Sequence, residues 1–279
     1  MHWIKITVGC LSSMNILKWA KRQRVRHTLK HHPIPFDLWR NVLREAEILH
    51  DLSSVEKAQL RKLTTLFIHH KAINGSKGFE PSDEMIVVIA AQAALPILKL
   101  GLNYYSGWVE VIVYPGAFRV NHGGLDQNGL VSNDVSTLSG ESWLRGPVIL
   151  SWEDVEHDLH SPHLGHNVVV HEFAHKLDML NGSANGLPPL HPKMKIEQWS
   201  KALSSAYETL RQQAAHHQRT RINSYGATTP AEFFAVVSEC FFAAPIILNQ
   251  HCPEVYLQLT KFYYQDPLNR QAKRRGKDS

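Results

Sequence analysis

One pentapeptide in the 279 residues has a spacing that suits chemistry: His171-Glu172-Phe173-Ala174-His175. On a helix, residues i and i+4 lie one above the other on the same face, so both imidazoles can reach a single ion. Two histidines plus one further protein ligand and an open position make a catalytic zinc site. Glu172, one position on, stands beside that face and addresses a water instead of the metal. Zinc lowers the pKa of such a water toward ~7. A neighbouring carboxylate then takes its proton and later delivers one to a leaving amine. The pattern points to metal-assisted hydrolysis with one Zn2+ per chain and Glu172 as the base.

A third ligand must come from a distant segment, and Tyr225-Gly-Ala-Thr-Thr229-Pro230-Ala231-Glu232 offers Glu232. Its position also suits a purely structural role, because Thr229 to Glu232 is a capping box with proline at the first helical position. Glu239, seven residues on, lies on the same helical face and is the competing carboxylate. Asp178, three residues after His175, either orients a ligand histidine from outside the ligand set or sits in solvent near the helix end. The run His160, His163, His166 has the look of a second metal cluster, but Pro and Gly around it suggest a surface loop.

The elements that must position these residues are legible in the apolar periodicity. A helix is expected over 36–50, and Ser53 with Glu56 forms a capping box opening a second one. The apolar stretch Met85 to Leu102 is broken by Gln92, Pro96 and Lys99, so it reads as a buried core helix and not a membrane span. Strands are expected around 109–115 and 147–152, with a loop or hairpin over 121–142 and a His- and Pro-bearing loop before the motif. The motif helix stops at Asn181-Gly182, and further helices are expected at 196–215, 230–243 and 253–264. The fold class is α+β, with a small mixed sheet and a predominantly helical remainder.

With 43% hydrophobic and 20% charged residues, the chain suits an ordered globular protein. Cys10, Cys240 and Cys252 show no metal or disulfide spacing, which fits free thiols in a reducing compartment. Residues 1–32 carry seven Lys or Arg and no acid, and residues 265–279 carry five basic and two acidic residues. That leaves 18 basic and 23 acidic residues over 33–264, so the excess charge sits in the ends. The expectation is a poorly ordered basic leader at 1–34, a catalytic domain at 35–268 and a disordered basic tail at 269–279. Direct binding to nucleic acid or membrane is not expected, and the location is expected to be cytoplasmic.

Several separate segments resemble the Mlc titration factor A family: Gly78-Phe-Glu80, Val113-Tyr-Pro115, Gly146-Pro-Val-Ile-Leu150, His171 to Asp178, Pro230-Ala-Glu232, Ser238-Glu239 and Gln265-Asp-Pro267. Those are bacterial cytosolic zinc peptidases similar to the catalytic domain of anthrax lethal factor. The resemblance spans roughly residues 35–268 and implies a zincin-like metallopeptidase domain. It implies Glu232 as the third zinc ligand and Tyr225 as a hydrogen-bond donor to the tetrahedral oxyanion. It also implies aminopeptidase-like cleavage of peptide substrates and binding of the glucose repressor Mlc. The alternative is a weakly catalytic or non-catalytic zinc protein that sequesters a transcription repressor.

Overall fold

A computed structural model describes residues 19–76, 78–116, 146–160 and 165–275. Its described elements are mostly helical, with one three-stranded sheet in the order β1-β2-β3. The helix α1 runs over 19–31, followed by α2 (Phe36–Glu45), α3 (Ser54–His70), β1 (Ala72–Gly75) and α4 (Asp83–Ala94). Then come β2 (Glu110–Tyr114), β3 (Val148–Ser151), α5 (Trp152–His160), α6 (Val168–Asp178) and α7 (Ile196–Ala215). The chain closes with α8 (Pro230–Ala243), α9 (Pro245–His251), α10 (Pro253–Tyr263) and α11 (Pro267–Arg275). This is an α+β arrangement.

The strands pair in parallel, Ile73 beside Val111 and Val113 beside Leu150, so the described sheet is narrower in kind than the mixed sheet expected. Parallel neighbours require crossovers, and α4 supplies the one between β1 and β2. Val111, Val113, Val148 and Leu150 face inward and are buried. α4 is capped by Ser82, whose side chain accepts from Met85 N, and every residue from Val87 to Ala94 is buried. A helix apolar on all faces belongs in the middle of a protein, and α4 lies among α2, α3 and α6. No described helix is long and apolar enough to cross a membrane.

α3 starts where its capping box predicts: Glu56 N donates to Ser53 Oγ, and Ser53 N donates to the Glu56 carboxylate. Its far end delivers Phe67 into a cluster with Tyr105, Trp108 and Phe173, ring centroids 5.0–6.2 Å apart. Burying one such ring contributes about 2–3 kcal/mol. Because Phe173 lies inside the His-Glu-x-x-His segment, this cluster anchors the motif helix. Cys240 and Cys252 are free thiols.

Several expectations change. Residues 153–160, read as loop, form most of α5, and the leader and tail contribute the helices over 19–31 and 267–275. Arg270 of α11 donates to the Glu56 carboxylate at 2.7 Å, a tie that gives the tail helix a place to dock. The loop or hairpin expected at 121–142 lies outside the described residues, as does His163.

Candidate metal centre

α6 begins at Asn167, whose side chain accepts from Val170 N at 2.8 Å and whose amide donates to the buried Gln92 of α4 at 2.5 Å. The helix thus enters the core in a fixed register. One turn in, the rings of His171 and His175 meet edge to face with centroids 4.8 Å apart, both nearly inaccessible. α8 crosses beside α6. Its Thr229 accepts from Glu232 N at 3.2 Å as an N-cap with Pro230 behind it, while the Glu232 carboxylate reaches the histidines. Capping explains why the helix starts there, and the carboxylate contacts explain why that residue is a glutamate.

The three donor atoms form a triangle. His171 Nε2 lies 3.0 Å from Glu232 Oε2 and 3.2 Å from His175 Nε2, and His175 Nε2 lies 3.4 Å from Glu232 Oε2. Ligands 2.0–2.1 Å from a tetrahedral zinc are separated by about 3.3 Å. All three edges match that spacing, and the donor chemistry of two imidazoles with one carboxylate suits zinc. Among the described residues this is the single group of three or more such side chains able to share an ion. The residues present therefore fit a metal.

Glu239, two turns beyond Glu232, meets the other side of the same ring: His171 Nδ1 lies 2.6 Å from Glu239 Oε1. It is not part of the triangle. With Nδ1–H donating to Glu239, Nε2 keeps its lone pair toward the ion position, the tautomer a ligand histidine needs. Burial opposes a charge on His171, yet Glu239 and Glu232 outweigh it and raise its pKa well above the usual histidine range. Burial likewise opposes ionisation of Glu232, and its hydrogen bonds to His171 and His175 overcome that and hold it well below the usual carboxylate range.

Glu239 is itself held. Its Oε2 accepts from Asn167 N at 2.7 Å and sits 3.6 Å from His166 Nε2. His166 Nδ1 donates to Asp158 Oδ1 at 2.8 Å, and Asp158 Oδ2 accepts from Val168 N at 2.7 Å. The Asp158 hydrogen bond lifts His166 to about 9 against the opposing effect of burial. His166, read from sequence as a surface-loop histidine, therefore belongs to the polar support of the centre. The signal was hidden because its partner stands on an unrecognised helix. His160 instead bonds the Glu156 carbonyl within α5.

Asp178 is fully buried, and its Oδ2 accepts from Gly186 N at 2.7 Å. Its Oδ1 makes no hydrogen bond to any described residue, so the carboxyl braces the loop after α6 instead of gripping a histidine. Burial pushes it up to about 6. Gly186 has φ +75°, and a Cβ there would sit 2.6 Å from the Pro230 carbonyl, so this position requires glycine where the loop meets the start of α8.

A cleft of about 210 Å³ opens on the centre, lined by Glu172, His166, Tyr225, Asp154 and Asn223. Glu172 is half-buried and Tyr225 is 42% exposed, its ring 6.1 Å from that of His171. Burial first, and then the charges of Glu232 and Glu172, push the Tyr225 hydroxyl up to about 12. It therefore remains a donor at neutral pH. Of the residues singled out around the motif, His171, His175 and Glu232 form the donor triangle, Glu172, Tyr225, His166 and Glu239 line the adjoining cleft, and Asp178 braces the loop after α6.

Comparison with known proteins identifies the family. The family model of the glucose-regulated metallo-peptidase M90 matches residues 17–264. The chain is 37% identical to Mlc titration factor A of Escherichia fergusonii over 225 residues, covering 80% of this chain and 84% of that protein. It is 35% identical to Mlc titration factor A of Cronobacter sakazakii over 257 residues, 91% of this chain and 94% of the relative. An uncharacterized protein of Synechocystis is 36% identical over 254 residues, 90% of each chain. The extent of these matches shows that the chain belongs to the M90 family of glucose-regulated metallo-peptidases.

Proposed function

We propose that this protein hydrolyses peptide bonds with a zinc ion held by His171, His175 and Glu232. The observation that carries the reading is the triangle of 3.0, 3.2 and 3.4 Å between their donor atoms, with His171 lining a cleft that also holds Glu172 and Tyr225. Zinc bound there would supply Lewis acidity and bring a water's pKa toward ~7. Glu172 takes the proton of the attacking water and hands one to the departing amine. Tyr225, kept protonated, donates its hydroxyl to the oxygen on which charge develops. Glu239 fixes the tautomer of His171, and the cleft's acidic groups Asp154 and Glu172 suit the free ammonium of a peptide, in keeping with aminopeptidase-like cleavage.

The protein is further read as working in the cytoplasm, where Cys240 and Cys252 stay as thiols. A second role follows from its likeness to proteins named Mlc titration factor A. In that role it binds a repressor of the Mlc kind, either beside catalysis or in place of it. The two roles separate in one experiment. Zinc content is measured for wild type, His175→Ala and Glu232→Ala, together with cleavage of alanine-bearing chromogenic amides by wild type and Glu172→Gln. One zinc in wild type, loss in both ligand variants, and a 10²- to 10⁴-fold fall in turnover for Glu172→Gln with zinc retained are expected. Full zinc retention in Glu232→Ala would overturn the ligand set. Equal turnover in Glu172→Gln and wild type would remove catalysis and leave the regulatory reading.

A further inference from the structure

A groove of about 1300 Å³ runs between α1, the outer face of α3 and the segment 101–109, clear of the residues that make up the metal centre. Its cationic lining includes Lys21, Arg24, Arg26, Lys30 and Lys62, and no Asp or Glu appears among its described lining residues. Every one of those five side chains is on an exposed residue. The sequence reading set this charge aside as part of a poorly ordered leader. The structure instead folds residues 19–31 into a helix tied to the body, with Lys21 Nζ donating to Asn103 Oδ1 at 2.8 Å. The charge is therefore concentrated on one concave surface of a chain whose 33–264 body is net acidic.

α1 gains little from packing, since Thr28 is its single fully buried described residue. It also stacks like charges four apart, Arg22 over Arg26 and Arg26 over Lys30, an arrangement that costs helix stability when nothing neutralises it. A bound polyanion would remove that cost. Alongside the cations stand exposed imidazole rings on both walls of the groove: His27 and His31 on α1, 4.3 Å apart, and His69 and His70 at the end of α3, 5.7 Å apart, with His32 beside His69 at 5.1 Å just outside the groove. Cations for a phosphate backbone, interleaved with rings on which bases can stack, are the two components of single-strand recognition. A membrane surface would need a flat, not a concave, face. An acidic protein segment would use the cations but not the rings.

We propose that this groove binds single-stranded nucleic acid, through its phosphates and by stacking, without reading sequence. The site is separate from the zinc centre and does not depend on that reading. The test uses full-length protein and a fluorescein-labelled mixed-sequence RNA of about 12 nucleotides, followed by anisotropy across a salt series. Five phosphate contacts give a slope of log K against log salt of about −3.5. Arg24→Gln/Lys30→Gln should weaken binding at least tenfold and flatten the slope by about 1.4. His31→Ala/His69→Ala should weaken it several-fold with the slope unchanged. Lys201→Gln/Lys261→Gln, in a different groove between α7 and α10, should change it less than about twofold and guards against a general charge effect. Circular dichroism and zinc content, unchanged in all three, exclude misfolding. Absence of binding at low salt would overturn the proposal. So would equal weakening in the Lys201/Lys261 variant. An unaffected histidine variant, with polyglutamate or phosphatidylglycerol vesicles competing as well per charge as the RNA, would replace nucleic acid by an acidic protein segment or a lipid surface.

Discussion

At the residue scale, the arrangement around His171 makes a sharp prediction about Glu239. Its carboxylate grips Nδ1 at 2.6 Å while Glu232 faces Nε2 at 3.0 Å, so the ring is held between two acids on one face of α8. Groups that orient a ligand histidine are worth about 10- to 100-fold in metal affinity. Glu239→Ala should lose zinc affinity toward the upper end of that range, and Glu239→Gln, which keeps an acceptor oxygen, toward the lower. A competitive chelator titration checks both, and wild-type affinity in Glu239→Ala would show that His171 needs no such partner. Tyr225 yields a pH prediction. Because its hydroxyl is raised to about 12, it stays protonated, and hence a donor, until well above pH 10. Tyr225→Phe should lower kcat by about 10- to 10³-fold and leave the alkaline limb of the kcat profile in place; a limb that vanished would mean Tyr225 itself titrates there. The pair His171 and His175, with Glu172, was legible in sequence because helical periodicity alone puts them together. By spacing alone Glu232 and Glu239 were not separable, since both lie on one face and only the crossing of α8 against α6 decides which meets Nε2; it was the family resemblance that pointed to Glu232. His166 was missed because its value depends on Asp158, eight residues away on a helix that had not been recognised.

Elements carry the next predictions. The loop after α6 passes so close to α8 that Gly186→Ala would place a Cβ 2.6 Å from the Pro230 carbonyl at φ +75°. Both strain and displacement follow, so the variant should lose about 2 kcal/mol or more in denaturant unfolding and bind zinc more weakly, because Pro230 opens the helix that carries Glu232. Unchanged stability would mean the loop shifts freely and does not position α8. Glu56 joins α3 to α11. Burial alone would raise its pKa, but hydrogen bonds from Arg270 and the Ser53 backbone bring it down from 4.5 to about 2. A folded value below the unfolded one means that this stabilisation is complete above about pH 4.5 and disappears as pH falls toward 2. Wild type should exceed Glu56→Gln by about 1 kcal/mol at pH 6, because solvent screens part of the pair, with the gap closing between those limits; a gap independent of pH would assign the effect to packing. The capping box at Ser53 and the N-cap at Thr229 were readable because their chemistry is local, although the Glu232 carboxylate turns to the histidines and leaves the box at Thr229 half made. β1 was not, since Ala72-Ile-Asn-Gly75 has no alternation and exists only through its pairing with β2. α5 is polar along most of its length, with Val155 its one buried apolar residue, so periodicity gave no signal.

For the whole molecule, the question is whether the metal builds the fold or only uses it. The overall α+β character and the net acidity of the body were legible in sequence, because both are sums over many residues. The docking of the basic leader as α1 was not, because it has almost no apolar face. The same kind of sum answers the metal question. The core runs through α4, α6, α8 and the aromatic clusters around Phe173 and Phe241, and its buried side chains pack without reference to any ion. Removing zinc should therefore leave the helical circular dichroism intact. It should still lower the melting temperature, because an ion bound to donors from two helices stabilises the native state by mass action. At a free zinc concentration 100 times Kd that amounts to about 2.7 kcal/mol, or about 5–10 °C for a chain of this size. Glu172→Gln should show the same zinc-dependent shift as wild type, since its carboxylate faces the cleft and not the donor triangle. Glu232→Ala should show almost none. Loss of helical signal on chelation would make the ion a structural element of the core. An equal shift in Glu232→Ala would place the stabilising zinc somewhere other than between α6 and α8.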